Sequence, residues 1–411
     1  MEQVICVYIS SKCNGKCSYC YLPNKDIILP YNEEIREWLS SDKYIEDIKK
    51  IYTDQIDIIG FWGAEPLFNL NLIDTDKLLT SLPKLKNIIL STGLTSDIDQ
   101  LINFITNLSK STKNREPEFL LNVQVSFDGN EKLNDASRGI GTLKKVLSNL
   151  KYTIDTLNNI DLHNLTIKFM SGSTISSDML DFLNENWDEQ FDFFKNLAED
   201  LKDRNKNKNV YSHMILHNKL ATGANITYTK EDGIKYSKIQ SSEWEEETKN
   251  SPKGYVQRRF DLMNILKMCS ICSAGRSSFG IAPDNSLHLC HRTFDYIVSG
   301  IEDIKPSMKN YVFYDKEKLQ HYGYLVHSNL KFKTDICQAI IKELVECNEI
   351  SSIYKNEFYS YMLARLVCAK MYCFMDNIFD TGSCYVPTVD LIKVYGNGAL
   401  EYHIKDVMEN L

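Results

Sequence analysis

Three cysteines stand close together near the start of the chain: Cys13, Cys17 and Cys20, in the string SKCNGKCSYCYLP. Thiolates of cysteine hold iron–sulfur clusters, and a 4Fe–4S cube ordinarily takes four of them. This loop supplies three, which leaves one iron of a cube without a protein ligand and open to the donor atoms of a small molecule. Gly15 lets so short a loop bend around the cluster. Tyr19 and Tyr21 are placed to shield it from water and to tune its potential. The competing reading is a zinc knuckle. Zinc sites of that kind take four protein ligands, usually in cysteine pairs, and no second pair lies nearby.

A second cysteine region begins MCSICSAGRSSFGIAPDNSLHLCHRTF. Cys269 and Cys272 form a CxxC pair, and Cys290 follows. Pro283-Asp284-Asn285 reads as a tight turn, with Asn tolerating the left-handed conformation. The flanking FGIA and LHLC would then pair as a hairpin and bring Cys272 and Cys290 to one end. Cys368, Cys373 and Cys384 offer a fourth ligand or a further cluster. Cys6, Cys337 and Cys347 stand alone and read as small buried hydrophobes. His291, next to Cys290, is a candidate general base, since a histidine titrates near neutral pH. Of the 12 cysteines, none lies between Cys20 and Cys269, a distribution that suits one cluster near each end.

The first two-thirds of the chain supplies elements to position these groups. Apolar runs at 4–10, 57–62, 87–91, 120–127, 165–170 and 211–216 read as six strands. Amphipathic stretches at 33–51, 72–82, 96–109, 141–158 and 178–203 read as helices between them. Strands alternating with helices imply βα units and a parallel sheet. The expected fold class is α/β: a partial (β/α)6 TIM-like barrel with a small C-terminal, cysteine-rich auxiliary-cluster domain. The cysteine loop follows the first strand, at the rim where parallel barrels bind their ligands. The expected domains are a core at 1–217, a polar linker or capping segment at 218–255, and the auxiliary region at 256–411.

Composition narrows the function classes. The 411 residues are enough for one large or two ordinary domains. A net charge of −8 argues against a long phosphate-tracking groove, so nucleic acid is not an expected partner. No apolar run approaches a membrane span, and the N-terminus lacks a basic n-region. A cytoplasmic location is expected, where clustered cysteines bind metal more often than they form disulfides. With Cys13 so near the start, no N-terminal peptide-binding domain is expected.

The CxxxCxxC string after the first strand resembles the radical S-adenosylmethionine (SAM) superfamily. In that family the open iron is chelated by the amino and carboxylate groups of SAM. An electron from the cube breaks a carbon–sulfur bond, giving methionine and a 5′-deoxyadenosyl radical that takes a hydrogen atom from substrate. Further strings fit the resemblance. GAEP (Gly63, Ala64, Glu65, Pro66) follows the second strand and is similar to the family's GGEP, which holds the SAM ammonium; Ala64 departs from the usual glycine. STGL, with Ser91 and Thr92, resembles a turn found after the third strand. SFDG, with Ser126 and Asp128, followed by Arg138, resembles a stretch whose polar side chains contact the ribose and carboxylate of SAM.

The C-terminal cysteines resemble the start of the SPASM and twitch extensions, which carry auxiliary 4Fe–4S clusters; Asn285 stands where those extensions have glycine, and the later cysteine spacing departs from SPASM. The resemblance implies one or two auxiliary clusters. It also implies a peptide or protein substrate, post-translational modification of that substrate, and an external electron donor such as flavodoxin or ferredoxin. In sulfatase-maturing relatives an acidic base stands at the place of His291. The alternative within the resemblance is a twitch-type enzyme acting on a small molecule. A different class, an iron–sulfur regulator or electron carrier, would have no use for a SAM pocket.

Overall fold

The structure is a computed structural model that describes residues 3–20, 32–52, 55–214, 218–220, 278–283, 287–288 and 312–313, with single positions at 232, 235 and 239. The chain divides into two compact units. One comprises Met1–Ile175, Asp188–Lys219 and Ala274–Gln320; the other comprises Ser176–Trp187, Leu220–Ser273 and His321–Leu411.

In the first unit, β1 (Val4–Ser10) leads through α1 (Asn32–Ser40) and α2 (Lys43–Tyr52) to β2 (Ile58–Gly63). Two short 3-10 turns and α3 (Thr75–Ser81) precede β3 (Asn87–Thr92), and α4 (Ile98–Thr112) precedes β4 (Phe119–Ser126). Then come α5 (Glu131–Arg138), α6 (Thr142–Leu157) and β5 (Leu165–Ile175). The last stretch carries α8 (Trp187–Arg204), β6 (Val210–His213), β7 (Asn218–Leu220), β8 (Ser278–Ile281), β9 (Leu287–His288) and β10 (Val312–Phe313). In the second unit, α7 (Ser177–Glu185) is held to Lys235 by the Asp181 carboxylate at 2.5 Å and by Asn184 Nδ2 donating to the Lys235 carbonyl.

The strands β1 to β6 lie side by side in chain order, each parallel to the next. This is the expected open α/β barrel, with one addition. β8 joins in parallel on the other side of β1, matching Val4 to Ser278 and Val7 to Ile281, so the parallel run has seven strands. The seventh went unforeseen because a four-residue strand 268 residues after β1's last partner residue, Ser10, carries no sign of which edge it will extend. β8 and β9 then pair antiparallel, Gly280 with His288 and Ile281 with Leu287, the hairpin expected around Pro283.

Burial explains the register. Along β4, Phe119, Leu121, Val123 and Val125 are buried while the residues between them are half-buried. The buried set faces the helices. There Phe61 meets Phe104 edge-on at 6.2 Å, and side chains such as Leu101, Ile105 and Leu108 of α4 are fully or nearly fully buried. Each such aliphatic side chain contributes roughly 1.5–3 kcal/mol by leaving water. The opposite face is polar: Asn122 donates to Asn87, and Ser91 to Gln124 at 3.4 Å. A parallel sheet is ordinarily apolar on both faces; polar groups on one face mark it as a place that receives a ligand.

Helix boundaries differ from the periodicity at two places. The run 33–51 breaks between α1 and α2, where Asp42 takes φ 58 and its N–H donates to Leu39. The run 178–203 breaks at Asn186, whose backbone and side-chain N–H groups both cap the Phe182 carbonyl. In both places a polar residue that satisfies orphan helix carbonyls wins over a continuing apolar period. Most of 218–255 and 256–411 lies outside the described residues. Among the described residues no helix is long and apolar enough to cross a membrane.

Candidate functional site

The C-terminal ends of β1 to β5 bring the sequence motifs to one rim. The loop after β1 carries Cys13, Cys17 and Cys20. Gly15 donates its N–H to Cys13 Sγ at 3.2 Å, and Cys20 donates to the Cys17 carbonyl at 3.1 Å. A Cβ at Gly15 would stand 3.3 Å from Cys13 Sγ and 3.7 Å from Cys17 Sγ, so glycine keeps open the cradle between the two thiols. Among the described residues no three His, Cys, Asp or Glu side chains come together as closely as one metal ion requires. The room that Gly15 leaves between the thiols suits a body as large as a 4Fe–4S cube.

That loop is pinned on both flanks. On one side Ala64 donates to the Ser10 carbonyl at 2.7 Å and Glu65 to the Lys12 carbonyl at 3.0 Å. Asn14 donates to the Thr95 carbonyl and accepts from the Thr95 hydroxyl at 3.1 Å. On the other side Ser18 donates to the Ser137 carbonyl at 2.8 Å, and the Tyr19 hydroxyl donates to Asp128 at 2.6 Å. Asn14, Thr95 and Ser137 were not singled out from the sequence. Asn14 lies inside the cysteine string, which was the available signal.

The GAEP turn packs against β1. Gly63 takes φ 138, and a Cβ there would run into the Ser10 carbonyl and stand 2.9 Å from the Ser10 nitrogen. Gly63→Ala is therefore expected to destabilise the fold by about 1–3 kcal/mol from backbone strain alone, read as a lower denaturation midpoint. Ala64→Gly adds no atom and is expected to cost less, about 0.4–1 kcal/mol from the freer unfolded chain; equal losses in both variants would contradict the account.

Glu65 is 2% exposed and accepts three hydrogen bonds: from Thr92 Oγ1 at 2.7 Å, the Gly93 N–H at 2.8 Å and the Leu67 N–H at 3.2 Å. Burial pushes its pKa up, and these bonds pull it partly back. All three donors are neutral, so the buried carboxylate is suited to a cationic ligand such as the SAM ammonium. Pro66 opens the 3-10 turn that Glu65 caps. Thr92 is buried and also accepts from the Leu94 N–H, while Ser91 sits lower on the polar face, against Gln124.

Asp128 is fully buried and both its oxygens are engaged. Oδ2 accepts from Tyr19, from Ser137 Oγ at 2.6 Å and from Arg138 Nε at 2.8 Å; Oδ1 accepts from Arg138 Nη2 at 3.0 Å and the Thr174 N–H at 2.8 Å. Arg138 is thus held in a two-pronged grip at the end of α5, its side chain 13% exposed and its guanidinium 5.5 Å from the Tyr19 ring centroid. Burial lowers the Arg138 pKa, but the Asp128 carboxylate outweighs it and the net shift is upward. Tyr19 is buried too, and burial pushes its hydroxyl well above the ordinary range. The third guanidinium nitrogen, Nη1, lies 3.9 Å from Cys17 Sγ.

Ser126 ends β4 opposite Gly172 of β5, half-buried on the polar face. The structure thus brings Cys13, Cys17, Cys20, Tyr19, Gly63, Ala64, Glu65, Pro66, Thr92, Ser126, Asp128 and Arg138 to the strand ends, with Ser91 just below. Cys269, Cys272, Cys290, His291, Cys368, Cys373 and Cys384 lie outside the described residues.

Comparison with known proteins gave one family match and several similar folds. Residues 7–183 match the model of the Radical SAM superfamily. No curated protein matches the chain. Similar solved structures include native anSMEcpe with bound AdoMet, at 15% identity and TM-score 0.48 over 99% of this chain and 100% of that one. A second is anSMEcpe with bound AdoMet and Cp18Cys peptide, at 15% identity and TM-score 0.47 over the full length of both chains, 100% and 100%. A third is SuiB of Streptococcus suis bound to S-adenosylmethionine, at 11% identity and TM-score 0.45 over 74% of this chain and 62% of that one. The family match spans the part of the chain that holds the cysteine loop, the GAEP turn and the Asp128–Arg138 pair.

Proposed function

We propose that the chain, which carries a radical SAM core over residues 7–183, modifies a peptide or protein substrate by abstracting a hydrogen atom from it. The observation that carries the SAM half of this reading is the pairing of two neighbouring strand ends. A pinned three-thiol loop follows β1, and a buried carboxylate with only neutral hydrogen-bond donors follows β2. Cys13, Cys17 and Cys20 would hold the cluster, and the open iron would take SAM. When bound, the cluster supplies one electron, which splits SAM into methionine and a 5′-deoxyadenosyl radical.

The chain's own residues do the rest. Glu65 holds the SAM ammonium. Gly63, Ala64 and Pro66 shape the turn that presents it, and Thr92 fixes the carboxylate through its hydroxyl. Ser126 and Ser91, on the polar face, are placed for the nucleoside. Asp128 and Tyr19 hold Arg138, whose role toward the SAM carboxylate follows from the resemblance. His291 serves as base to a substrate radical or its product, and an external flavodoxin or ferredoxin delivers the electron.

The peptide half rests on the second cysteine region. Cys269, Cys272 and Cys290, with Cys368, Cys373 and Cys384, would hold one or two auxiliary clusters that accept the product's electron or bind a substrate thiolate. Residues 218–255 would link or cap, and 256–411 would form the auxiliary domain. The CxxC pair with one further cysteine also supports the alternative, a small-molecule substrate. Anaerobic co-expression with the short products of neighbouring genes distinguishes them. A mass change in one of those peptides, dependent on Cys13, Cys17 and Cys20, is the expected result. Unmodified peptides throughout, with a small metabolite consumed instead, would overturn the peptide reading in favour of the alternative.

A further inference from the structure

We infer that Arg138 sets the reduction potential of the N-terminal cluster through Cys17, with Asp128 as the positioning residue that aims it. The inference rests on the reading that Cys13, Cys17 and Cys20 hold a cluster. It differs from the role the resemblance implies for Arg138, which is toward SAM.

The grip on Arg138 is asymmetric. Asp128 takes Nε and Nη2, at 2.8 and 3.0 Å, and this fixes the plane of the guanidinium. Nη1 is the remaining nitrogen, and it points to Cys17 Sγ at 3.9 Å, long for a hydrogen bond but close for a charge. The same helix holds the cysteine loop, because Ser18 donates to the Ser137 carbonyl at 2.8 Å. Tyr19 closes the arrangement: its ring lies 5.5 Å from the guanidinium, and its hydroxyl completes the set on Asp128. The guanidinium and the cysteine loop are therefore fixed to one another by several separate contacts.

Arginine cannot shed its charge at any ordinary pH. One-electron reduction of a cluster adds a negative charge beside Cys17. A fixed cation at that distance, in a medium less polar than water, favours the reduced form. Charge and hydrogen bonds to the sulfurs are among the factors that set cluster potentials. Asp128 offsets part of this, but its charge lies on the far side of the guanidinium from Cys17. Arg138 therefore raises the potential and brings the cluster within reach of a weaker donor.

The test is a potentiometric titration of the full-length, anaerobically reconstituted protein, followed by the electron paramagnetic resonance of the reduced cluster. It is done without SAM, so a role in holding SAM leaves the result unmoved. The signal is assigned to the N-terminal cluster by its change when SAM is added to a separate sample, and by its loss in the variant lacking Cys13, Cys17 and Cys20. Arg138→Gln is expected to lower the reduced-to-oxidised ratio about tenfold at fixed potential, a shift of about 59 mV to more negative values for a one-electron couple. Arg138→Lys keeps a charge but loses the fork, and should shift less. Asp128→Glu keeps the opposing charge but displaces the grip on the guanidinium, and should shift in the same direction as Arg138→Gln. If Arg138→Gln assembles no cluster, the other two variants carry the test. A midpoint equal to wild type in every variant that assembles would overturn the inference alone. A wild-type protein in which no cluster responds to SAM would overturn the underlying reading, and the inference with it.

Discussion

Replacing Cys13, Cys17 and Cys20 together with alanine is expected to abolish SAM cleavage and to remove one cluster's worth of iron and sulfide. The effect is large because, among the described residues, no other thiol stands at this rim. Cys6, on the adjoining strand, is buried in the sheet beside Gly60. The loop's contacts to Ser10, Thr95 and Ser137 run mainly through backbone groups and Asn14, so the alanine protein should keep its fold, and circular dichroism should show this. Iron should not fall to zero, because the C-terminal cysteines are proposed to hold a separate site. Iron, sulfide and 5′-deoxyadenosine are measured on the same anaerobic preparation. Continued 5′-deoxyadenosine formation would sink the assignment of the loop, and an iron-free protein would remove the auxiliary-cluster proposal.

The largest effect on stability is expected from Asp128→Ala. That change strips the carboxylate from a buried arginine and leaves the Tyr19 hydroxyl and the Thr174 N–H without their acceptor. Removing one partner of a buried ion pair typically costs about 3–5 kcal/mol, here measured as the loss in unfolding free energy by denaturant titration. Pairing the change with Arg138→Met should recover part of the loss, since the uncompensated charge goes too. A single variant within about 1 kcal/mol of wild type, below the range for a buried pair, would mean that the network is solvated and that Asp128 does not hold Arg138.

The strands and the cluster loop could be read from the sequence because both carry local signals. The runs VICVYIS, NIILS and LTIKFM are apolar and β-branched, and each is the start or the whole of an observed strand. CxxxCxxC and GAEP are short enough that spacing alone carries their meaning. What could not be read was the second layer. α5 has only Leu133 as a large apolar residue on its buried face; Asn134 and Ser137 are the others, so no apolar period announces it. Its caps were visible, with Asn130 accepting from Leu133 and Gly139 at φ 103. The resemblance singled out Arg138 as a residue facing SAM, but not as a buried one. Its burial depends on Asp128, ten residues earlier in the loop after β4, and no apolar period shows that the two pair. The seventh parallel strand has the same cause: β8 finds its edge through β1, far away in the chain.

The central claim is tested most directly by reducing the anaerobically reconstituted wild-type protein, adding SAM and quantifying products by liquid chromatography and mass spectrometry. The account predicts 5′-deoxyadenosine and methionine in equal amounts, formed only when reductant is present. A reduced protein loaded with its N-terminal cluster that leaves SAM intact would contradict it.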